Sequence, residues 1–272
     1  MYSLNLDLVR EIERSIARSG REAAECSRRH KPEACADFAV AEMCGGTAVF
    51  TGVGSPVTQA LGCGLDGSVT AAQLDEMEEF FFSRGASCDL ELAPFIDASL
   101  VELLRHRCYH LAELSIMLLR DLKEEIAAGP EEAGFVIRPI ESGEERLFTE
   151  AVAQGFADVV PVTEELLDVV ESFAHQPGSR SFLALVDGVV AGGGSAGAHG
   201  RVGALFGAST LPMFRGRGIQ SALIGTRMHW MREQGCEFAY ITTAPGTASQ
   251  RNAERAGFRA NYSRMKLTRD RP

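Results

Sequence analysis

The feature that most constrains the fold is an internal echo with a period close to 150 residues. Gly235 follows Gly85 by 150 positions, Phe258 follows Tyr109 by 149, and Arg269-Asp270 follows Arg120-Asp121 by 149. The patterns between these landmarks agree. Residues 47–52 and 56–62 read as paired strands, and Thr70 with Gln73 forms a capping box that opens a helix ending at Gly85. A strand over 86–92, a helix over 98–107 and a strand over 111–119 follow. The same order returns after Ser181. Residues 181–186 run into Asp187-Gly188, a two-residue hairpin signal, and a glycine-loaded strand leaves it. The run from Ala191 to Gly194 departs from a hairpin instead of entering a helix, so it reads as a thin strand or bulge. Residues 201–210 form a further strand, a helix starts at Ile219 and stops at Gly235, and 238–243 form a strand. One repeat of this length predicts two copies of an α/β unit, not a solenoid.

The boundary between the copies is legible. Residues 121–134 are acidic and small and are broken by Gly129-Pro130, which stops any helix there. The expected organisation is a domain over 1–121, a linker over 122–134 and a domain over 135–272. The first 45 residues are mostly helical in pattern, with Leu4, Leu8, Ile12 and Ile16 on one face. The second domain opens with a strand over 135–140 and a helix over 143–153. A second helix, within 161–173, is capped by Thr163 ahead of Glu164-Glu165.

With 272 residues and 45% hydrophobic content, the chain can fill two cores. No run approaches the roughly 20 apolar residues of a membrane helix, and the polar N-terminus is no secretory signal. The expectation is a soluble cytoplasmic protein with no membrane partner. A net charge of −10 argues against nucleic acid as a partner. The charge is uneven: residues 215–271 hold eleven Lys/Arg and four Asp/Glu, a balance of +7, which leaves −17 for the remainder. Such a basic end suits a compact polyanion. The seven cysteines fit no zinc spacing and read as reduced, mostly buried thiols, with no metal site.

The basic end begins at a loop. Gly216 and Gly218 alternate with Arg215 and Arg217, Pro212 stands upstream, and Ile219, Ala222, Leu223, Thr226 and Trp230 mark one buried face of the helix downstream. A turn feeding a helix leaves backbone N–H groups unpaired, and the aligned peptide dipoles add positive potential there. Glycines let an anion approach the backbone, so this is a place to hold phosphates. The sequence is not a Walker A loop, because no Lys-Ser or Lys-Thr follows. It is not a full dinucleotide fingerprint either, because Ser221 stands where a third glycine belongs. Shifted back by 150, Gly216 and Gly218 become Asp66 and Ser68, with no arginine nearby in sequence. A carboxylate there would repel a diphosphate, so the first copy is expected to lack the ligand.

These residues resemble the GNAT superfamily of acyl-CoA-dependent N-acyltransferases over residues 135 to the C-terminus. The family's pyrophosphate loop, [R/Q]-x-x-G-x-[G/A], is matched by Arg215 and Gly218, with the common lead-in from Pro212 to Arg215; Gln220 departs at the last position. Residues 249–258 resemble the family's next helix, which closes on Gly257-Phe258. The resemblance implies tandem N-acyltransferase-like domains, each a mixed α/β unit with a mostly antiparallel central sheet flanked by helices, the first copy degenerate. It implies acetyl-CoA, or another short acyl-CoA, bound through Arg215, Gly216, Arg217, Gly218, Ile219, Gln220 and Ser221. Ser209, Thr210 and Leu211 would pair with the pantetheine arm, and Asn252 and Arg255 would contact the cofactor. The acceptor would be an amine of a small molecule or peptide, and a homodimer is compatible with the fold.

Acyl transfer from a thioester needs an amine positioned and deprotonated, a polarised carbonyl and a protonated leaving thiolate. The family's tyrosine four residues before Gly257 is replaced here by Ala253. Tyr240 is the leading substitute, with Thr242 and Tyr262 behind it; His175 and His199 are further candidates for a proton relay. Two other readings stay open: a non-catalytic acyl-CoA-binding or sensor protein, and some other nucleotide-phosphate binder.

Overall fold

The computed structural model describes residues 6–126, 134–157 and 161–272. Leu4 and most of the expected linker lie outside the described residues. The first half runs α1 (Leu6–His30), β1 (Ala39–Met43), β2 (Gly46–Phe50), β3 (Gln59–Leu61), α2 (Ala71–Phe82), β4 (Cys88–Leu92), α3 (Ala98–Arg105) and β5 (His110–Asp121). The second half runs β6 (Phe135–Pro139), α4 (Glu145–Gly155), α5 (Glu164–His175), β7 (Ser179–Val186), β8 (Val189–His199) and β9 (Val202–Thr210). It continues through a short 3₁₀ turn (Pro212–Phe214), α6 (Ile219–Glu233), β10 (Phe238–Thr243), α7 (Ala248–Arg255) and β11 (Arg259–Arg269). The chain divides into two compact units: Met1–Met117 together with Asn261–Pro272, and Leu118–Ala260. The division falls inside β5 and inside β11.

In the first unit the strand order is β1-β2-β3-β4-β11-β5. Helices cover both faces of this sheet, which is why all five residues of β2 are buried. Ala48, Phe50, Leu90 and Leu92 pack with Leu74, Met77 and Phe81 of α2 and Leu100 of α3. On α1, Leu8 and Ile12 are buried as the apolar stripe requires, while Ile16 is half-buried. The first 45 residues are not all helical, because 39–43 pair with 46–50 as an antiparallel hairpin. Its turn, Cys44-Gly45, has both residues at positive φ. The hairpin strand Ala39–Met43 escaped the sequence reading because its burial does not alternate.

The last strand is locked into this unit by a buried ion pair. Arg264 donates Nε and Nη2 to the two carboxylate oxygens of Glu13, each at 3.0 Å, and Nη1 to Glu91 at 2.5 Å. Tyr262 donates its hydroxyl to Glu13 at 2.8 Å. The Arg264 and Glu13 side chains are 2% and 0% exposed. Farther along, Arg269 pairs with Glu78 of α2.

The second unit orders its strands from the end of β5 as β5-β10-β9-β8-β7-β6. Phe148, Val152 and Val170 of α4 and α5 pack on one face with Leu183. Ile219 and Leu223 of α6 pack on the other with Phe182, Ala184 and Ala191. The buried face of α6 is wider than the sequence stripe suggested: Ile224, Arg227, Met228 and Met231 are also buried, while Thr226 and Trp230 are half-buried.

The echo holds at the level of connectivity. β2–β3 and β8–β9 are antiparallel, and β3–β4 and β10–β9 are parallel. The elements that follow start at 71, 88, 98 and 110 in one copy and at 219, 238, 248 and 259 in the other, offsets of 148, 150, 150 and 149. Of the cysteines, Cys26, Cys35, Cys44, Cys63, Cys88 and Cys236 are buried thiols outside any disulfide and Cys108 is exposed. Among the described residues no helix is long and apolar enough to cross a membrane.

Candidate functional site

The site is built where β9 leaves its neighbours. The parallel ladder with β10 pairs Val202 with Phe238, Gly203 with Ala239 and Ala204 with Tyr240. Beyond that rung the two strands form no further pair among the described residues, although β9 continues to Thr210 and β10 to Thr243. On the other edge of β9, Ser195 faces Phe206 while Gly193 faces Ser209, so β9 carries one extra residue between them. Gly207 accommodates this bulge at φ 52°, and a Cβ on it would strike the ring of Phe173. Among the described residues the β9 backbone beyond Ala204 has no strand partner on its β10 side, its Phe206 and Thr210 carbonyls accepting from the Arg227 and Arg215 side chains. Extended backbone of this kind can pair with an amide-bearing ligand.

The bulge is held from below by Arg227 of α6. Its Nη1 donates to the carbonyls of Ser195 at 3.0 Å and Phe206 at 3.4 Å, and its Nε to Leu223 at 3.0 Å. The guanidinium is fully buried and pairs with no carboxylate among the described residues, so desolvation pushes its pKa down to about 9. The close packing of Gly194, whose Cβ would lie 3.0 Å from the guanidinium carbon, makes room for it. Sequence reasoning missed Arg227, yet a signal existed: it continues the buried row of Ile219 and Leu223 at i+4 spacing, where an arginine has to find buried carbonyls.

The loop after β9 starts with the Leu211 amide donating to Ala191 at 2.9 Å. Arg215 turns back onto the scaffold, with Nε donating to Thr210 at 3.1 Å and Nη2 to Gly155 at the end of α4 at 3.0 Å. It therefore braces the loop against α4. Arg217 is exposed and lies over the Phe214 ring, 5.5 Å from its centroid. Gly216 and Gly218 sit at φ 78° and 81°, with open space where a Cβ would point. Gly218 is the N-cap of α6 and no side chain caps the helix. The first helical bond runs from Ala222 to the Gly218 carbonyl, so the amides of Ile219, Gln220 and Ser221 have no carbonyl of this helix to donate to. No acidic residue stands in the first turn. Gln220 is half-buried and accepts from Thr210 Oγ1 at 3.4 Å, so its extra side chain folds onto β9 and leaves the helix start open.

The remaining candidates fall in several places. Ser209 is buried and donates to the Val152 carbonyl at 2.8 Å, so its contribution to a ligand is through its backbone. Tyr240 is buried at the last rung before the strands part. Thr242, two residues on, is half-buried. On α7, Arg255 is exposed and donates to Asn252 at 3.0 Å, while Ala253 is fully buried on the opposite side of that helix. Tyr262 belongs to the first unit, where its hydroxyl is engaged by Glu13. His175 ends α5 and His199 ends β8, both half-buried. Gly257-Phe258 closes α7 against Arg120, which donates to the Ala256 carbonyl and, at 2.6 Å, to Glu125.

The basic C-terminal end is not one patch. Of its eleven cations, Arg264, Lys266, Arg269 and Arg271 lie in the first unit, and Arg264, Lys266 and Arg269 pair there with Glu13 and Glu91, Glu113, and Glu78. Arg227 is interior. What the ligand loop retains is its own two arginines and the uncapped amides.

Residues 145–258 match the model of the acetyltransferase (GNAT) family. No curated protein matches the chain. Among solved structures, a GCN5-related N-acetyltransferase from Kribbella flavida is similar at 16% identity, covering 90% of this chain and 95% of that one, with a TM-score of 0.63. A GCN5-related N-acetyltransferase from Sphaerobacter thermophilus is 19% identical over 74% of this chain and 68% of that one, TM-score 0.57. A tandem GNAT protein from the clavulanic acid biosynthesis pathway is 14% identical over 74% and 69%, TM-score 0.55. At these identities the likeness is one of fold.

Proposed function

We propose, from the match of residues 145–258 to the model of the acetyltransferase (GNAT) family, that the chain moves an acetyl group from acetyl-CoA to an amine of a small molecule or peptide. The observation that carries the reading is the junction of β9 and α6. An open stretch of strand backbone leads directly into an uncapped helix start flanked by two glycines and two arginines. The first suits the amides of a pantetheine arm and the second suits a diphosphate. Bound acetyl-CoA would supply an activated thioester.

The protein's own contribution is positioning. The amides of Ile219, Gln220 and Ser221, with Gly216 and Gly218 admitting the diphosphate closely, fix one end of the donor. Ser209 and Thr210 align the arm by backbone pairing, Leu211, whose amide and carbonyl are engaged by Ala191 and Phe214, fixes the end of that strand, and Arg217 adds charge at the exposed rim. Asn252 and Arg255 are assigned to the cofactor side of α7. Arg215 and Arg227 act through the loop and the bulge. Tyr240, at the last rung before the strands part, is assigned the proton donor to the departing thiolate. A thiol-release assay over an amine panel tests the transfer, and calorimetry with acetyl-CoA and ATP tests the donor. ATP bound as tightly as acetyl-CoA would refute the pantetheine assignment. Tyr240→Phe keeps the ring and removes the hydroxyl; loss of a general acid lowers kcat by about 10²–10⁴-fold. Wild-type kcat in that variant would return Tyr240 to the core.

One observation favours a second reading, a non-catalytic acyl-CoA-binding protein. Ala253 stands fully buried where the family has its acid. Acetyl-CoA binding without thiol release over the whole amine panel would select that reading.

A further inference from the structure

The N-terminal unit holds a cavity of about 320 Å³ between α1 and the turns that follow β1 and β3. Arg10, Arg14, Arg18 and Arg21 line it from α1, Glu42 lines it from β1, and Asp66 from the turn that follows β3. Spacings of four, four and three residues place these guanidinium groups along one face of the helix. The loop carrying Asp66 is the counterpart of the glycine loop in the other copy. The sequence puts no arginine near it, but the fold brings two. Arg14 Nη2 lies 2.9 Å from both Asp66 carboxylate oxygens, and Arg10 Nε lies 3.5 Å from one of them.

Three other carboxylates meet the arginine row. Glu42 meets Arg21, Asp7 lies 3.6 Å from Arg10, and Glu22 accepts from Arg18 Nε at 2.7 Å. The remaining donors are in the middle: Nε and Nη1 of Arg14 and both Nη of Arg18 have no hydrogen-bond partner among the described residues. The two residues are one helical turn apart, about 6 Å along the axis. Their side chains are 64% and 60% exposed, so these donors now face water. An oxyanion would replace that water with charge-assisted, fork-shaped hydrogen bonds, for which guanidinium geometry is suited.

We propose that this cavity is a binding site for a small organic anion, a carboxylate or a phosphate ester, held by Arg14 and Arg18. Its volume is at the low end of the roughly 300–1,000 Å³ typical of ligand pockets, which favours a compact acid over a nucleotide cofactor. The site is separate from the acyl-CoA reading and does not depend on it.

The test is calorimetric titration of the full chain, at low ionic strength, with succinate and with inorganic phosphate. The proteins compared are wild type, Arg14→Gln, Arg18→Gln and Gly218→Asp. At least one oxyanion should bind the wild type, and each Arg→Gln change should weaken it about tenfold or more, the scale of one lost charged hydrogen bond. Gly218→Asp, which alters the other unit's loop, should leave the part of that binding lost in Arg14→Gln and Arg18→Gln unchanged. A response to phosphate alone assigns a phosphate ester, and a response to succinate alone assigns a carboxylate. The proposal is overturned if neither binds, if the arginine variants bind as the wild type does, or if Gly218→Asp removes that part of the binding.

Discussion

Replacing Arg264 by Met should destabilise the protein far more than an ordinary surface substitution. The guanidinium makes three contacts with two carboxylates, and the Glu13 partner is completely buried. Met preserves much of the stem volume but leaves Glu13 with Tyr262 as its remaining contact among those of the network. Breaking a buried pair by removing one partner costs about 3–5 kcal/mol, because the other charge stays desolvated. Urea unfolding followed by circular dichroism reads this out. With a slope of about 3 kcal/mol/M, the midpoint should fall by about 1–1.7 M. Glu13→Leu combined with Arg264→Met removes both charges, and apolar replacement of a whole buried pair is often neutral or better. The double variant should therefore recover most of the lost midpoint. Glu91 does not spoil this design, since its side chain is 15% exposed and can reach water. A single variant within about 0.3 M of wild type, or a double variant no better than the single, would refute the argument that Arg264 and Glu13 form a stabilising buried pair.

Three further outcomes follow from the same structure. Because β11 lies between β4 and β5 in the first unit, a fragment of residues 1–134 should unfold without a cooperative transition, and a peptide of residues 259–272 should restore one; a cooperative transition in the fragment alone would contradict the strand order. Gly218→Asp should nearly abolish acetyl-CoA affinity in calorimetry, because a carboxylate and a strained positive φ would both stand at the uncapped start of α6. The Glu144 carboxyl is held down to about 2 by the Arg138 guanidinium and the Glu141 amide. Its folded pKa is depressed, so its stabilisation is present above the ordinary glutamate range near 4.5 and is lost as pH falls toward 2; Arg138→Gln should flatten the dependence of Tm on pH in that window, and an unchanged slope would remove the pair from the account.

Much of this architecture was legible because it rests on local chemistry. The capping box at Thr70 and Gln73 forms as read, with both reciprocal hydrogen bonds present. Asp187-Gly188 makes the tight hairpin, with both residues at positive φ, and the glycine-loaded strand carries the register shifts expected of a bulge. The 150-residue period survives in connectivity because element order follows from patterns of burial and turn residues. What was not legible depends on long-range pairing. The insertion of β11 between β4 and β5 joins residues 173 positions apart at Arg264 and Glu91, and no periodicity encodes that. The same holds for the arginines of α1, which meet Asp66 across 52 residues of sequence at Arg14. The repeated Arg-Asp pair was a trace of the arrangement: Arg120 closes α7, and Asp270 accepts from Ser87 in the first unit at 3.4 Å.

The two copies show how one element order can support opposite electrostatics at a helix start. In the first copy α2 begins with a complete capping box. Thr70 accepts from the Gln73 amide at 3.3 Å, and the Gln73 side chain accepts from the Thr70 amide at 2.9 Å. These reciprocal bonds consume amides that would otherwise be open to an anion. In the second copy the cap is Gly218, which has no side chain to fold back, and arginines flank the loop's glycines. The difference therefore lies in whether the helix satisfies its own first turn. A helix that does so is mechanically finished; one that does not retains three or four donors with no carbonyl of its own. The backbone enforces the difference: Thr70 caps from extended backbone at φ −91° and ψ 160°, whereas Gly218 is left-handed at φ 81°, a conformation from which a β-branched Thr could not close the same box.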